Sequence, residues 1–379
     1  MLPGFDGHLL SESVLEEKIT DGPTFDASAT WRRFADVRRG SQSLGPASSL
    51  RAMLGLGATP LTGVLGFAAP RDVAVDRSIL VATVDADSEP LVLVIAPWGE
   101  ALEPLWRTGV TQSMRRSARW CALFNGISLR LLDAARPHSG RYAQFDLDAV
   151  ADDERTFAAL SFVLQRFPSA LDKLVDESER HGTDVCRSLK DGVLTASGDV
   201  LAALVRPTRT RKALPADSFE QALTIVYRIL FLLFAESRRL VPLWHPVYRD
   251  SYSIEALSLL AERSDARGLW DALRAITRLA HAGCRAGDLR VTPFNGRLFA
   301  PGRTPLAERR DLDDESARRA LVALSTRPSA NRGWREKIAY RDLGVEQLGA
   351  VYETLLDYQP QVTPAGVSLA AGSGVRKST

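Results

Sequence analysis

The strongest constraint on this chain is the point at which its strand-forming runs stop. Residues 79–84 and 91–96 are short runs of β-branched and apolar side chains bounded by Asp, Glu and Pro. Residues 120–124 and 128–132 form a second pair around Asn125-Gly126. Runs of this length and content predict strands. The Asn-Gly dipeptide predicts a tight hairpin, because both turn positions tolerate positive φ. Between the two pairs, residues 103–119 have a helical period, with Leu105, Trp106, Val110 and Met114 near one face. After Asp152 the strand texture disappears and the period is helical. The expected class is therefore α+β: a small N-terminal α/β domain in the order strand, strand, helix, strand, strand, followed by a mainly helical domain.

The flanking segments complete the plan. Residues 9–19 and 31–37 read as helices in an N-terminal helical segment, 1–45, closed by the loop-like GSQSLGPASS. The α/β domain takes 46–150. A helical linker region, 151–212, holds helical stretches at 155–166, 170–181 and 200–205 and ends in the basic break RPTRTRK. The strongest helix of the chain opens the connector domain, 213–360. Its Leu223, Val226, Tyr227, Leu230, Phe231 and Phe234 recur at spacings of three and four, which predicts one wide stripe against a core. Asp217 or Ser218 would cap it, with Gln221 completing a capping box. Further amphipathic helices are expected at 254–262, 270–281 and 345–356. The tail, 361–379, is rich in Gly, Ser, Ala and Thr and is expected to be flexible.

Several chemistries lack their residues. The longest apolar run, 225–235, is interrupted by Arg228, so no membrane span or membrane partner is expected. The first residues have no basic region ahead of an apolar stretch, and a cytoplasmic location is expected. Cys121, Cys186 and Cys284 are far apart and the five histidines never fall at i, i+4, which gives neither a disulfide framework nor a metal-ligand pattern. The ending GSGVRKST has Arg376 where a phosphate-binding loop needs glycine. No G-x-S-x-G is present. The formal charge is only +2, carried on the positive side mostly by arginine, so charge alone does not indicate nucleic acid. Two local clusters are the candidate DNA contacts: Arg115, Arg116 and Arg119, and the break containing Arg206, Arg209, Arg211 and Lys212. Either would grip phosphates without reading sequence.

A strand-strand-helix-strand core is also the frame on which many DNA-cleaving enzymes hang their metal-binding carboxylates. Such a site needs one acid near the first strand, then an acid and a lysine two positions apart on the next. Asp76 fits the first role. The second strand reads Val94-Ile95-Ala96-Pro97, with neither acid nor lysine, and only Glu89 and Glu100 flank it. The expectation is a nuclease-like domain whose chemistry is lost. An active nuclease using a migrated acid is the least favoured alternative.

From Val226 onward the wording becomes specific: YRILFLLFAESRRLVP, YSIEALSLL, PFNGRLFAP and IAYRDLGVEQLGAVYETLLDYQP. Together these resemble the helical region that precedes the catalytic domain in type IIG restriction-modification enzymes and related adenine-specific DNA methyltransferases. The residues carrying the resemblance are Asn295 and Gly296, then Arg341, Asp342, Gly344, Glu346, Gln347, Tyr352 and Glu353. Upstream, RWCALFNGISLRLLD, with Asn125 and Gly126, is similar to the nuclease-like domain of such proteins, and Gln112 fits a glutamine that those domains often carry on the preceding helix. The resemblance covers roughly residues 72–379.

In that family an S-adenosylmethionine loop and an Asn-Pro-Pro-Tyr motif follow, and Arg376-Lys377-Ser378-Thr379 is similar to the opening of that passage. Neither motif occurs in these residues. The resemblance therefore implies the non-catalytic N-terminal part of a DNA N6-adenine methyltransferase, truncated before the methylase and holding no cofactor itself, with S-adenosylmethionine belonging to the parent family. Its expected partners are DNA and a methylase domain or split partner chain. The alternative is a stand-alone DNA-binding or assembly subunit of a phage-defence complex.

Overall fold

The computed structural model describes residues 2–21, 27–86, 89–165, 167–205, 217–294, 296–309, 312–328, 335–356, 358–363 and 366–371. The chain is α+β and divides into two compact units, Met1–Gly182 and Thr183–Thr379.

The first unit is built on a seven-stranded sheet with strands β1 (Phe5–Gly7), β2 (Arg71–Asp76), β3 (Ile79–Ala86), β4 (Glu89–Ile95), β5 (Trp120–Phe124), β6 (Ser128–Asp133) and β7 (Tyr142–Asp146), in the order β1-β7-β6-β5-β4-β3-β2. Every neighbouring pair is antiparallel except β4 and β5. Parallel neighbours need a crossover, and the Trp106–Arg115 helix supplies it. Alternate residues feed two cores. Leu80, Leu93, Ile95, Trp120, Phe124, Leu131 and Phe145 meet helical side chains such as Leu15, Phe34, Met53, Phe157 and Leu164. Ile79, Val81, Val92, Val94, Cys121 and Leu123 form the other core, on the side of the crossover helix. Both faces are thus covered, which is why the central strands read as unbroken apolar runs.

Several expectations shift here. The N-terminal helices Glu12–Asp21 and Ala27–Gly40 are not a segment apart. Leu10, Val14, Leu15 and Phe34 lie in the same core as the sheet, because one sheet face would otherwise be left bare. The sheet also recruits β2 and β7, which the period of two did not reveal; β2 is exposed along most of its length, so its pattern has no buried face to mark it. On the crossover helix the buried positions are Gly109, Val110, Gln112 and Ser113, while Met114 is 70% exposed.

The predicted hairpin forms, but its turn is displaced by one residue. Phe124 pairs with Leu129, which puts Gly126 and Ile127 at the centre. Gly126 alone has positive φ, +85°. Asn125 instead accepts from the Ile127 and Ser128 amides, at 3.0 and 2.7 Å.

The second unit packs helices Ile254–Ala261 and Asp314–Ser325 against Ser218–Ser237, and Leu269–Ala282 against those two. The Ser218–Ser237 helix is long and apolar enough to cross a bilayer by composition, yet 72% of its apolar window is buried inside the protein. Ala222, Val226, Ile229 and Leu232 are fully buried along it, whereas Tyr227, Phe231 and Phe234 are only partly buried. Its start is not a capping box: Asp217 sits at φ 60° without a side-chain bond, and Gln221 Oε1 accepts from the Leu306 amide at 2.8 Å.

The three helical stretches expected between 155 and 205 are two helices, Glu154–Gln165 and one of 37 residues, Ser169–Val205. A Cβ at Gly192 would lie 2.2 Å from the Ala323 carbonyl oxygen, so that glycine serves close packing. Leu171, Leu174 and Val175 of this helix belong to the first core, and Val185, Leu189 and Leu204 to the second.

Strands do recur after Asp152, as three two-stranded hairpins: Cys284–Ala286 with Leu289–Val291, Thr326–Pro328 with Arg335–Lys337, and Tyr358–Thr363 with Gly366–Ala371. The last replaces the expected flexible tail as far as Ala371, because ladder hydrogen bonds do not require a periodic apolar face. Arg206, Arg209, Arg211, Lys212, Asn295 and residues 376–379 lie outside the described residues.

Candidate functional site

Two places carry the residues singled out by sequence, one in each unit. In the first, Asp76 ends β2, and pairing of Asp76 with Ile79 and of Leu80 with Ile95 puts it at the end of the sheet where β4 finishes. Gln112, buried on the crossover helix, donates from Nε2 to Asp76 Oδ2 at 3.0 Å and accepts at Oε1 from Arg116 Nη1 at 2.5 Å. The fold therefore joins the two residues that the frame and the resemblance had separately marked.

The rest of a metal-assisted site does not assemble. Val94, Ile95 and Ala96 are wholly buried and apolar. Glu89 pairs with Ala86 at the opposite end of β4, about 20 Å away by strand rise, so it is no partner for Asp76. Glu100 is exposed, and its backbone carbonyl accepts from Asn125 Nδ2 at 2.8 Å. Among the described residues no three His, Cys, Asp or Glu side chains gather to hold a metal ion. The buried Cys121 thiol is pushed up to about 12 by desolvation, which suits packing and not nucleophilic work.

The arginines near this site divide. Arg115 is exposed at the end of the crossover helix, and Arg116 is held by Gln112. Arg119 is engaged by ion pairs to buried Asp133 at 3.2 Å and to Asp172 at 2.9 Å, with its guanidinium 5.1 Å from the Trp120 ring. The hydrogen bond to Asp133 raises its pKa above the ordinary value. Arg136 and Arg141 meet Glu179 at 2.6 and 2.9 Å. Asp172, Asp176 and Glu179 stand on one side of the 37-residue helix, at i, i+4 and i+7, a spacing visible in the sequence that marks the counter-charge for these arginines.

In the second unit the family-like motif folds as a short 3-10 turn, Tyr340–Asp342, leading into helix Val345–Leu356. Tyr340 is buried, and its hydroxyl donates to the Leu324 carbonyl at 2.6 Å. Leu343 is fully buried and its carbonyl accepts from Arg238 Nη2 at 2.8 Å. The Gly344 amide donates to Gln347 Oε1 at 2.8 Å, which ties the turn to the helix start. Arg341 and Asp342 are half-buried, while Glu346 and Glu353 face solvent. Tyr352 packs on Tyr227 with ring centroids 4.3 Å apart, and Tyr227 donates its hydroxyl to the Tyr352 carbonyl at 3.5 Å.

These two tyrosines line a groove of about 600 Å³ shared with Leu223, Phe231, Leu298, Val345 and Leu348. One wall is set by Arg228, the residue that interrupts the apolar run. It is 3% exposed and donates to the carbonyls of Leu298 and Ala300, at 2.9 and 2.8 Å, and to Thr304 Oγ1 at 2.9 Å. Burial lowers its pKa to about 10, which still leaves it charged at neutral pH. Gly296 begins the Gly296–Phe299 helix in this wall. In the sequence Arg228 stands only as an interruption of the apolar run, yet a lone charge inside an apolar helix is the signal for a buried anchor.

The groove's carboxylate, Glu220, meets Arg303 at 2.8 Å, and its walls are largely apolar. No family model, no curated protein and no solved structure matches this chain.

Proposed function

We propose that the chain is the non-catalytic part of a restriction-modification type DNA N6-adenine methyltransferase: it engages DNA in the cytoplasm and offers a docking surface to the methyl-transferring module. The observation that carries this reading is the first unit's sheet. Strands β2, β3 and β4 form a meander, a helix crosses over, and β5 returns parallel to β4. Asp76 and Gln112 meet where a nucleolytic site would begin, while Ile95, Ala96 and Pro97 occupy the positions that would need an acid and a lysine. One carboxylate without a second ligand or a lysine neither fixes Mg²⁺ nor activates water. A frame of this kind is useful as a scaffold for binding. The tyrosine-lined groove, built from the motif that resembles the methyltransferase connector, supports the docking role.

Two assays on the purified chain test the reading. Incubated with duplex DNA and Mg²⁺, it is expected to leave the DNA intact, and Asp76→Ala to behave identically. With labelled S-adenosylmethionine and adenine-containing duplex, no methyl transfer is expected until a methylase module is supplied. Mg²⁺-dependent cutting that is lost in Asp76→Ala, or tight cofactor binding by the chain alone, defeats the proposal.

A further inference from the structure

The Cys284–Ala286 and Leu289–Val291 hairpin has two unlike faces. Leu289 and Val291 enter a small core with Val241 and Tyr248. Arg285 and Arg290 are exposed, and they are direct cross-strand partners. Their Cβ atoms therefore stand roughly 5 Å apart, a position in which like charges repel. Several other arginines of this unit relieve their charge locally, as Arg249 does on Asp250 and Arg278 on Glu308. Neither guanidinium of the hairpin pair has a hydrogen-bond or ion-pair partner among the described residues.

An exposed aromatic side chain is linked to the hairpin turn through one residue. Asp288, at the hairpin turn, meets His245 Nε2 at 3.1 Å. The residue before that histidine, Trp244, is 68% exposed, and its ring lies edge-on to the His245 ring at 5.5 Å. The bond from His245 to Asp288 thus ties the segment that carries a bare indole to the turn of the hairpin that carries the two arginines.

We propose that this face binds a single-stranded nucleic acid, with Arg285 and Arg290 sharing phosphodiester oxygens and Trp244 stacking on a neighbouring base. Two adjacent planar forks match phosphate oxygens. A phosphate between them converts the repulsion into two charge-assisted contacts. Indole stacking accepts any unpaired base because every base has a π-face. The exposed Asp288 carboxylate disfavours an anionic bilayer, which would press a plane of negative charge on the whole hairpin; a strand need only cross the arginines. The inference shares a partner class with the functional reading but needs neither the methylase nor the nuclease-like frame.

The test is the binding of fluorescein-labelled oligothymidylate to the full chain across a salt series, with tryptophan emission as a second readout. The Arg285→Ala, Arg290→Ala double variant is expected to bind at least tenfold more weakly, with a log-log salt slope shallower by about 1.4, or about 0.7 per lost phosphate contact. Trp244→Ala is expected to cost about tenfold with the slope unchanged. Quenching on binding should disappear in Trp244→Phe. Arg285→Glu, which creates an opposite-charge pair, should bind weakly yet melt no lower than the native chain, separating loss of the site from loss of fold. Native affinity and slope in the double variant would overturn this site while leaving DNA engagement elsewhere on the chain. Failure of the chain to bind any nucleic acid would overturn both readings. Arginine-dependent capture by phosphatidylglycerol vesicles in place of the oligonucleotide would assign the face to lipid and end the proposal.

Discussion

Individual buried and half-buried arginines do different work in the two units. In the sheet of the first, Arg119 meets Asp133 and Asp172, and Arg130 meets Glu103 at 2.5 Å, while Arg38 reaches the Gly126 carbonyl of the hairpin turn at 2.8 Å. In the second, Arg327 pairs with Glu336 across a hairpin, but Arg228 and Arg238 donate to backbone carbonyls of irregular segments, 298–300 and 343. A regular sheet satisfies its own backbone, so charge there can be used between side chains. A helical domain interrupted by turns has orphan carbonyls, and an internal guanidinium, with five donors, can gather several of them.

The largest expected effect tests the second half of that comparison. Arg228→Met leaves the Leu298 and Ala300 carbonyls and Thr304 without their donor, and should cost about 3–5 kcal/mol in urea unfolding. A loss below about 1 kcal/mol would mean that the wall of the groove is held by something else. In the first unit the comparable weak point is backbone and not charge. Gly126→Ala would place a methyl 2.3 Å from the Trp98 ring at φ +85°, and should cost about 2–4 kcal/mol with a matching fall in Tm.

Acids of the two units should separate as well. Glu236 is buried and accepts from the Ile254 and Glu255 amides at 2.6 and 2.9 Å, but desolvation outweighs these bonds and raises its pKa to about 7. With the folded value above the unfolded one, its contribution is fully present below pH 4.5 and is lost as pH rises through 7. The second unit should therefore lose about 2–3 kcal/mol between pH 5 and pH 8, a drop that Glu236→Gln flattens. Denaturation at the two pH values measures it, and equal slopes in both proteins would refute the assignment. The smallest effect is Arg119→Ala. This arginine is 36% exposed, so its pairs should be worth about 1 kcal/mol, and the salt slope for DNA should not move. A shallower slope would return Arg119 to the phosphate-contact set.

The parts of the fold legible in the sequence are those with a strong period or an unbroken apolar run. Strands β3 to β6 were readable because residues such as Val92, Val94, Cys121 and Leu123 must be apolar on both sheet faces. Strand β2, with Val73 and Val75 exposed, has no such signature, and strands of three residues such as Cys284–Ala286 and Leu289–Val291 are too short to display an alternation. The long helix carries glycine at 182, 192 and 198, which lowers its intrinsic propensity; close packing against Ala323 overrides that at Gly192. At the candidate sites, residue types were legible and pairings were not. Asp76 and Gln112 lie far apart in sequence, and only the crossover brings them to 3.0 Å. Arg285 and Arg290 are each ordinary surface arginines in the sequence until the register sets them face to face.

The 37-residue helix that contributes to both cores also sets terms for synthesis and for dissection. As the chain leaves the ribosome, the first core lacks Leu171, Leu174 and Val175 until that helix has begun to emerge, so its closing turn arrives together with the opening of the next unit. Anyone dividing the gene at the junction near residue 182 would cut through continuous backbone hydrogen bonds, leaving each fragment with a frayed stump. Fragments that share the helix, overlapping across residues 169–205, are the ones expected to remain soluble.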